Sequence, residues 1–508
     1  MNFPRLLACL GLVAGWAAAR ADVAERENNA WPFRVASPLV AGRAPAESAA
    51  GPIWFTQGQA GEPGGTVRGV RPFWVEFRGP SGEVQAAHFL YPLFNYTAYR
   101  ESYRWDIFQL VRRWNRLPGA PAPTSDFDDR EEAEVFPFWF SRQGPDAATT
   151  YRGLFPIYGT VKRKLGIERL SWTLFPLYVE NERNGAVTTS TPWPFIRVTR
   201  GAAQGWAVWP LYGQVNRPGV SQHTFALWPF LYRSIREPDP EAPAGTPRHE
   251  SVGALPFFAR STGPGYVSQD YLWPFFGYSE RTQPKVYREQ RYLWPFFVQG
   301  RGDNVVVNRW APFYTHSVRS GAEKTWITWP LVRQANWVDE GVARDRSQFL
   351  YFLYWHERQR AAGRAQSPEA HLLHVWPLLS SWDNGAGRRQ WQALSPLEVF
   401  FPRNQAVRHA WSPLFALARH DQQAPGHTRT SVLWNAITYD RRDSEQRREL
   451  HVGPLLSVTH EGAARRIALG RGLVGFNRNA AGSWRIFWGE FPPAPSAPAA
   501  PAHPPVSR

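Results

Sequence analysis

Cysteine and methionine are almost absent: Cys9 and Met1 are the sole examples, and both lie within the first 21 residues. Loss of that segment leaves no thiol, which excludes a disulfide framework, a thiolate metal site and a cysteine nucleophile. No later stretch holds the roughly 18 apolar residues of a spanning helix, so entry into a bilayer would have to be by strands. Enzyme motifs are missing too: there is no HExxH pair, no GxSxG elbow, no P-loop and no GxGxxG opening a helix. The sequence therefore assigns no catalytic residue, no metal ligand and no cofactor, and the chain reads as non-enzymatic.

Aromatics stand at the other extreme. The 508 residues include 26 Trp, 32 Phe and 18 Tyr, side chains that carry large apolar area and favour sites with one dry and one wet end. Such an excess points to strands, sugar-stacking surfaces or membrane-interface belts. The net charge is +16, which favours anionic partners. For an exported chain these are membrane lipid, lipopolysaccharide or acidic glycan rather than nucleic acid; Arg-rich turns exposed to solvent are the plainer explanation.

Export is expected from residues 1–21. Arg5 is followed by the apolar run Leu6 to Ala18, then by Ala19-Arg20-Ala21 as an A-x-A cleavage site. An uncleaved anchor is the alternative, although the run is short for one. Leu6-Leu7-Ala8-Cys9 is discounted as a lipidation box because almost no apolar run precedes Cys9.

The strongest signal is repetition. Trp273-Pro274-Phe275-Phe276, Trp294-Pro295-Phe296-Phe297, Ala311-Pro312-Phe313-Tyr314 and Trp329-Pro330-Leu331-Val332 follow one another at a spacing of about 20 residues, the mark of a repeat architecture. Residues 22–98 hold weaker copies, such as Trp31-Pro32-Phe33, Arg71-Pro72-Phe73-Trp74 and Tyr91-Pro92-Leu93-Phe94. From 135 to 491 the copies are nearly continuous, and 492–508 is a Pro/Ala-rich tail expected to be disordered. Polar turn sequences such as Asn184-Gly185, Gly263-Pro264-Gly265 and Gly321-Ala322 separate the clusters.

Residues 99–134 break the pattern. Tyr103, Ile107, Leu110, Val111, Trp114 and Leu117 recur at three- and four-residue steps among arginines, which predicts one short amphipathic helix over 99–117, ended by Pro118-Gly119. It would pack on a sheet, lie on an anionic membrane or sit in a barrel mouth. An acidic loop follows, with Asp126, Asp128, Asp129, Glu131, Glu132 and Glu134. It lacks the spacing of a calcium-binding EF-hand loop and reads as a solvated charge run.

One turn per unit leaves strands of about 14 residues, near the length of a tilted spanning strand. Tyr292, Trp294, Phe296 and Val298 would then make an apolar face of about 25 Å, the height of a lipid-facing band. Elsewhere the match weakens, since Arg197 follows Trp193 and Phe195 on the same face. The prolines object more strongly. In mid-strand each would remove a ladder hydrogen bond, which lipid does not tolerate without bulges.

Two resemblances add to this. Gly153-Leu154-Phe155-Pro156-Ile157-Tyr158-Gly159, Leu174-Phe175-Pro176-Leu177-Tyr178 and the Leu-Trp-Pro-Phe-Phe copies resemble bacterial envelope proteins with tandem aromatic-Pro-apolar-aromatic units. The likeness covers most of 135–335, and it implies a shared fold and no established activity. Ser483 to Phe491 resembles the terminal strand of bacterial outer-membrane barrels, apart from the tail beyond Phe491.

Two further motifs have plain explanations. His371 and His374, three apart in a strand, fall on opposite faces and are read as structural. Arg301-Gly302-Asp303 matches a cell-adhesion tripeptide but is accounted for by a Gly-Asp-Asn hairpin turn. The expected fold is thus all-β: one long antiparallel meander of ~20-residue repeats, closed as a barrel of roughly 18–22 strands. The expected function is an outer-membrane protein with a structural or passive-pore role. The alternatives are a soluble exported β-repeat protein, periplasmic or extracellular, that binds glycan or protein through Trp, Tyr and Arg surfaces, and a periplasmic lipid-handling protein.

Overall fold

The computed structural model describes residues 25–37, 46–59, 62–99, 101–119, 131–164, 166–243, 245–364, 366–402 and 404–492. The expected leader, the acidic residues Asp126, Asp128 and Asp129, and the tail from 493 onward lie outside the described residues. Within them the chain is an antiparallel meander of 45 strands with very little helix. It divides into two compact units, one of residues up to Tyr91 together with those from Gln366, the other Pro92–Ala365.

The second unit runs from β8 (Phe94–Tyr99) to β34 (Tyr354–Ala361). Its strands are mostly about six residues, not 14, because each repeat holds two strands and two turns. In β27 (Tyr287–Tyr292) and β28 (Phe297–Gly302), Tyr292 pairs with Phe297, and the proline cluster is the turn between them. Phe296 N–H donates to Leu293 O at 2.9 Å across a cis Trp294–Pro295 bond, the arrangement of a type VI turn. Pro176, Pro229, Pro274 and Pro330 occupy the same place in closures of 2.7–2.9 Å. Proline has no N–H to give to a ladder, and here none is needed. The strand count of roughly 18–22 is corrected to 45, and no pairing among the described residues joins β1 (Asn28–Ala30) to β45 (Trp484–Trp488).

The other turns match the sequence reading. Arg183 pairs with Ala186 across the two-residue loop Asn184-Gly185, both at positive φ, as a type I′ turn demands. Asp303-Asn304 closes the hairpin of β28 and β29 (Val305–Trp310), where Gly302 pairs with Val305 and only Asn304 of the two loop residues is at positive φ, 57°.

The helix expected over 99–117 is instead the hairpin β9 (Ser102–Ile107) and β10 (Val111–Arg116), turning at Phe108-Gln109-Leu110. Ile107 and Val111 meet as cross-strand partners, so a four-residue spacing that looked helical spans a turn. The helix that does form lies elsewhere: α1 (Gln405–Ala410), capped by Asn404 accepting from Val407 N–H at 3.0 Å and followed by one more turn of helix at Ser412–Phe415. Glu132 and Glu134 sit in β11 (Glu131–Val135), both paired with Lys164 and the latter also near Arg112.

A local core of the second unit gathers Tyr151, Val161, Trp172 and Val179. Its indole lies against two glycines, Gly153 and Gly159, which face each other across β13 (Tyr151–Leu154) and β14 (Tyr158–Lys164). A Cβ on Gly159 would stand 2.2 Å from Gly153 Cα and 2.8 Å from the Trp172 ring. Gly159→Ala is expected to destabilise this unit by about 1–3 kcal/mol through overpacking, read as a lower melting temperature and faster amide exchange in β13–β15 (the last being Ile167–Thr173).

In the first unit, the N-terminal strands and the C-terminal block meet through buried charge. Glu27, 4% exposed, accepts from Thr438 at 2.6 Å and from Asn29 at 3.1 Å, and is ion-paired with Arg429. Its backbone N–H donates to Glu449 at 3.0 Å. Glu449 in turn holds Arg447 and His451, each at 2.8 Å. Burial would raise the Glu449 carboxyl, but His451 and Arg447 outweigh it and hold it at about 2. Burial likewise opposes the charge on His451, while Glu449, Glu27 and Glu25 win and raise its pKa.

An apolar cluster of Phe55, Val67, Val75 and Phe77 packs under α1. Arg71 crosses it, 3.5 Å from the Phe55 ring centre, and donates to His409 O at 2.6 Å and Pro52 O at 2.7 Å. Burial, then the nearby Arg71, Arg408 and Arg419, push the His409 imidazole down to about 3. His409 is therefore neutral when folded and protonates on unfolding below 6.5. Its stabilisation is complete above 6.5 and falls by about 1.4 kcal/mol per pH unit below it. His451 has the opposite sign: its contribution is complete below 6.5 and is lost as pH rises through its raised folded pKa. Stability of this unit is expected to peak near pH 6.5. In chemical-denaturation curves against pH, His409→Gln should flatten the acid limb and His451→Gln the alkaline one.

Candidate functional site

Consecutive hairpin turns lie at opposite ends of the strands, so the two kinds of turn are sorted onto two edges. In the second unit the proline turns of the repeated clusters, from Phe136-Pro137-Phe138 to Trp329-Pro330-Leu331, fall on one edge, and Asn184-Gly185, Pro264-Gly265, Asp303-Asn304 and Ser320-Gly321 fall on the other. Neighbouring tips on an edge are two strand spacings apart, about 10 Å. The proline edge is apolar and open. Phe257 and Phe313 are each 71% exposed and Trp329 57%, and Leu293, Trp294 and Phe296 are about half exposed.

The tips are tied to one another. Trp294 N–H donates to Phe275 O at 2.8 Å, Ala311 N–H to Phe296 O at 2.9 Å, and Thr328 N–H to Phe313 O at 2.6 Å. The backbone of the edge is thus satisfied internally while its side chains face outward. A contiguous apolar strip of this kind marks an interaction or membrane surface, and Trp and Phe suit the boundary between water and lipid.

A second feature lies on one face of β17 (Ala186–Ser190), β18 (Ile196–Gly201), β19 (Gln204–Val208), β20 (Tyr212–Arg217) and β21 (Ser221–Ala226). Register sets Arg197, Ala207, Gly213 and Phe225 in one row, and Thr188, Thr199, Gly205, Val215 and His223 in the next. Gly and Ala in the middle of the rows leave a groove of about 510 Å³. Gly213 is required there, because a Cβ would sit 2.4 Å from the Phe225 ring and 2.6 Å from Ala207. Arg183 and Arg217 stand at the polar end, linked by Arg217 Nη2 donating to Arg183 O at 3.4 Å. Trp209 and Trp228, with ring centres 5.8 Å apart, stand at the aromatic end. Among the described residues no carboxylate lines the groove. Burial lowers the Arg197 pKa, and burial with the Arg197 charge lowers that of His223.

The minor motifs stay apart. His371 is exposed and 3.7 Å from Glu369, whereas His374 is buried and 2.7 Å from Ser380 Oγ. They lie in β35 (Ala370–Val375) and do not converge. Gly302 ends β28, and Asp303 accepts from Val286 N–H at 3.0 Å within the turn region. Sequence reasoning did not foresee the groove, though Arg197 signalled it by interrupting an apolar alternation.

No protein-family model matches this chain, and no curated protein sequence matches it either.

Proposed function

We propose that the chain is a non-enzymatic protein of the bacterial cell envelope that rests on the outer membrane through its aromatic–proline edge, in a structural role. The observation that carries this reading is the edge itself: exposed large apolar side chains, mostly Phe, Trp and Leu, recurring at the proline turns along it. Lipid or lipopolysaccharide would cover those side chains, and the net charge of +16 would favour anionic head groups. Six-residue strands rise only about 20 Å, against the nine to eleven residues of a spanning strand. Strand length thus argues for contact along an edge and against a passive pore.

Fractionation of a Gram-negative host expressing the full chain tests this. Recovery with the outer membrane, followed by release in carbonate and urea, is the expected result. Retention after both washes, with heat-modifiable gel migration, would restore the spanning barrel. Recovery wholly in the soluble fraction would favour a second reading, a periplasmic or extracellular protein binding glycan or another protein. The observation behind that reading is the groove flanked by Trp and Arg.

A further inference from the structure

The groove on β17–β21 places three guanidinium groups, Arg183, Arg197 and Arg217, around a concavity that contains no acidic side chain. None of the three forms an ion pair among the described residues; Arg183 is exposed, whereas Arg197 and Arg217 are partly buried, as are Arg291, met by Asp270 at 2.8 Å, and Arg346, met by Glu357 at 2.6 Å. Arg197 is half-buried and its Nε has no hydrogen-bond partner. A desolvated cation without a counter-charge is costly unless an anion completes the site. The Thr188 and Thr199 hydroxyls, 3.0 Å apart, and the Ser221 hydroxyl supply further donors on the same lining.

We infer that this groove binds a phosphate ester, with the phosphate held by Arg197 and the Arg183–Arg217 pair and its organic carrier lying toward Trp209 and Trp228. Guanidinium forks match the oxygens of phosphate in pairs. The volume of about 510 Å³ lies within the usual range for small-molecule sites, roughly 300–1,000 Å³, and exceeds what a bare phosphate needs. The aromatic end offers a stacking or apolar surface to a sugar ring or to the glycerol of a lipid head group. This inference goes beyond the edge reading and stands without it, since the arginines and hydroxyls of the groove lie on a face of the sheet and only Trp209 and Trp228 are shared with the proline turns.

Calorimetric titration of the full chain with inorganic phosphate, a hexose 1-phosphate and a short-chain phosphatidylglycerol below its micelle concentration tests it. Saturable binding of an ester, at least tenfold tighter than inorganic phosphate and weakened by salt, is expected. Arg197→Gln and Arg217→Gln should each weaken it at least tenfold with the melting temperature unchanged. Trp209→Ala should reduce ester binding and leave inorganic phosphate unaffected. Preference for the hexose ester identifies a soluble sugar phosphate, and preference for the lipid identifies a head group. Absence of saturable binding to either ester, or affinity in both arginine variants unchanged from the parent, overturns the proposal.

Discussion

Replacing Phe257, Phe275, Phe296 and Phe313 together by Ser is expected to abolish binding to anionic vesicles while leaving the fold intact. All four sit at the tips of proline turns and are roughly half to three-quarters exposed. Lipid covering what water now touches would contribute about 1 kcal/mol for each, given about 1.5–3 kcal/mol for complete burial of such a side chain. Four losses amount to about 4 kcal/mol, roughly a thousandfold in partitioning. Because the rings make few contacts in the folded chain, each substitution should change stability by no more than about 0.5 kcal/mol. Vesicle flotation measures the first effect, and thermal melting the second. Undiminished flotation of the variant would assign lipid contact to some other surface.

Glu27→Ala should cost the first unit about 3–5 kcal/mol, the range for breaking a buried ion pair from one side. The substitution strands Arg429, whose side chain is 14% exposed, and removes the acceptor of Thr438 and Asn29. The loss should fall on the attachment of the N-terminal strands, so amide exchange should accelerate in β1 and β2 (the latter Arg34–Ser37) and in β40 (Ile437–Arg442). Replacing Glu27 and Arg429 together by Met should restore much of the stability, because no charge is then left unpaired. If the single variant melts as the parent does, the network is ornamental to stability.

Much of the architecture was legible from residues, and the failures have identifiable causes. Asn184-Gly185 and Asp303-Asn304 announced hairpins because few residues adopt positive φ, and the structure places turns at both. The aromatic–proline clusters misled because Tyr292, Trp294, Phe296 and Val298 alternate as a strand would. Alternation across a four-residue turn is indistinguishable from alternation along a strand unless the proline is read as the turn's third residue. That single misreading doubled the strand length and halved the strand number. Residues 99–117 failed in a related way, since Ile107 and Val111 are four apart in sequence and opposite one another across a hairpin. The groove depends on register over five strands, which no local pattern encodes. Contacts such as Glu27 with Arg429 join the ends of the chain and leave no mark on either segment.

The claim at the centre of this account is that the proline-turn edge meets lipid at the level of the head groups. Quenching of tryptophan fluorescence by bilayers brominated at defined acyl positions tests it on the full chain. The account predicts quenching by bromines near the head group, little by bromines near the chain ends, and loss of both in the four-Phe variant. Strong quenching from the bilayer centre, or none at any depth, would contradict it.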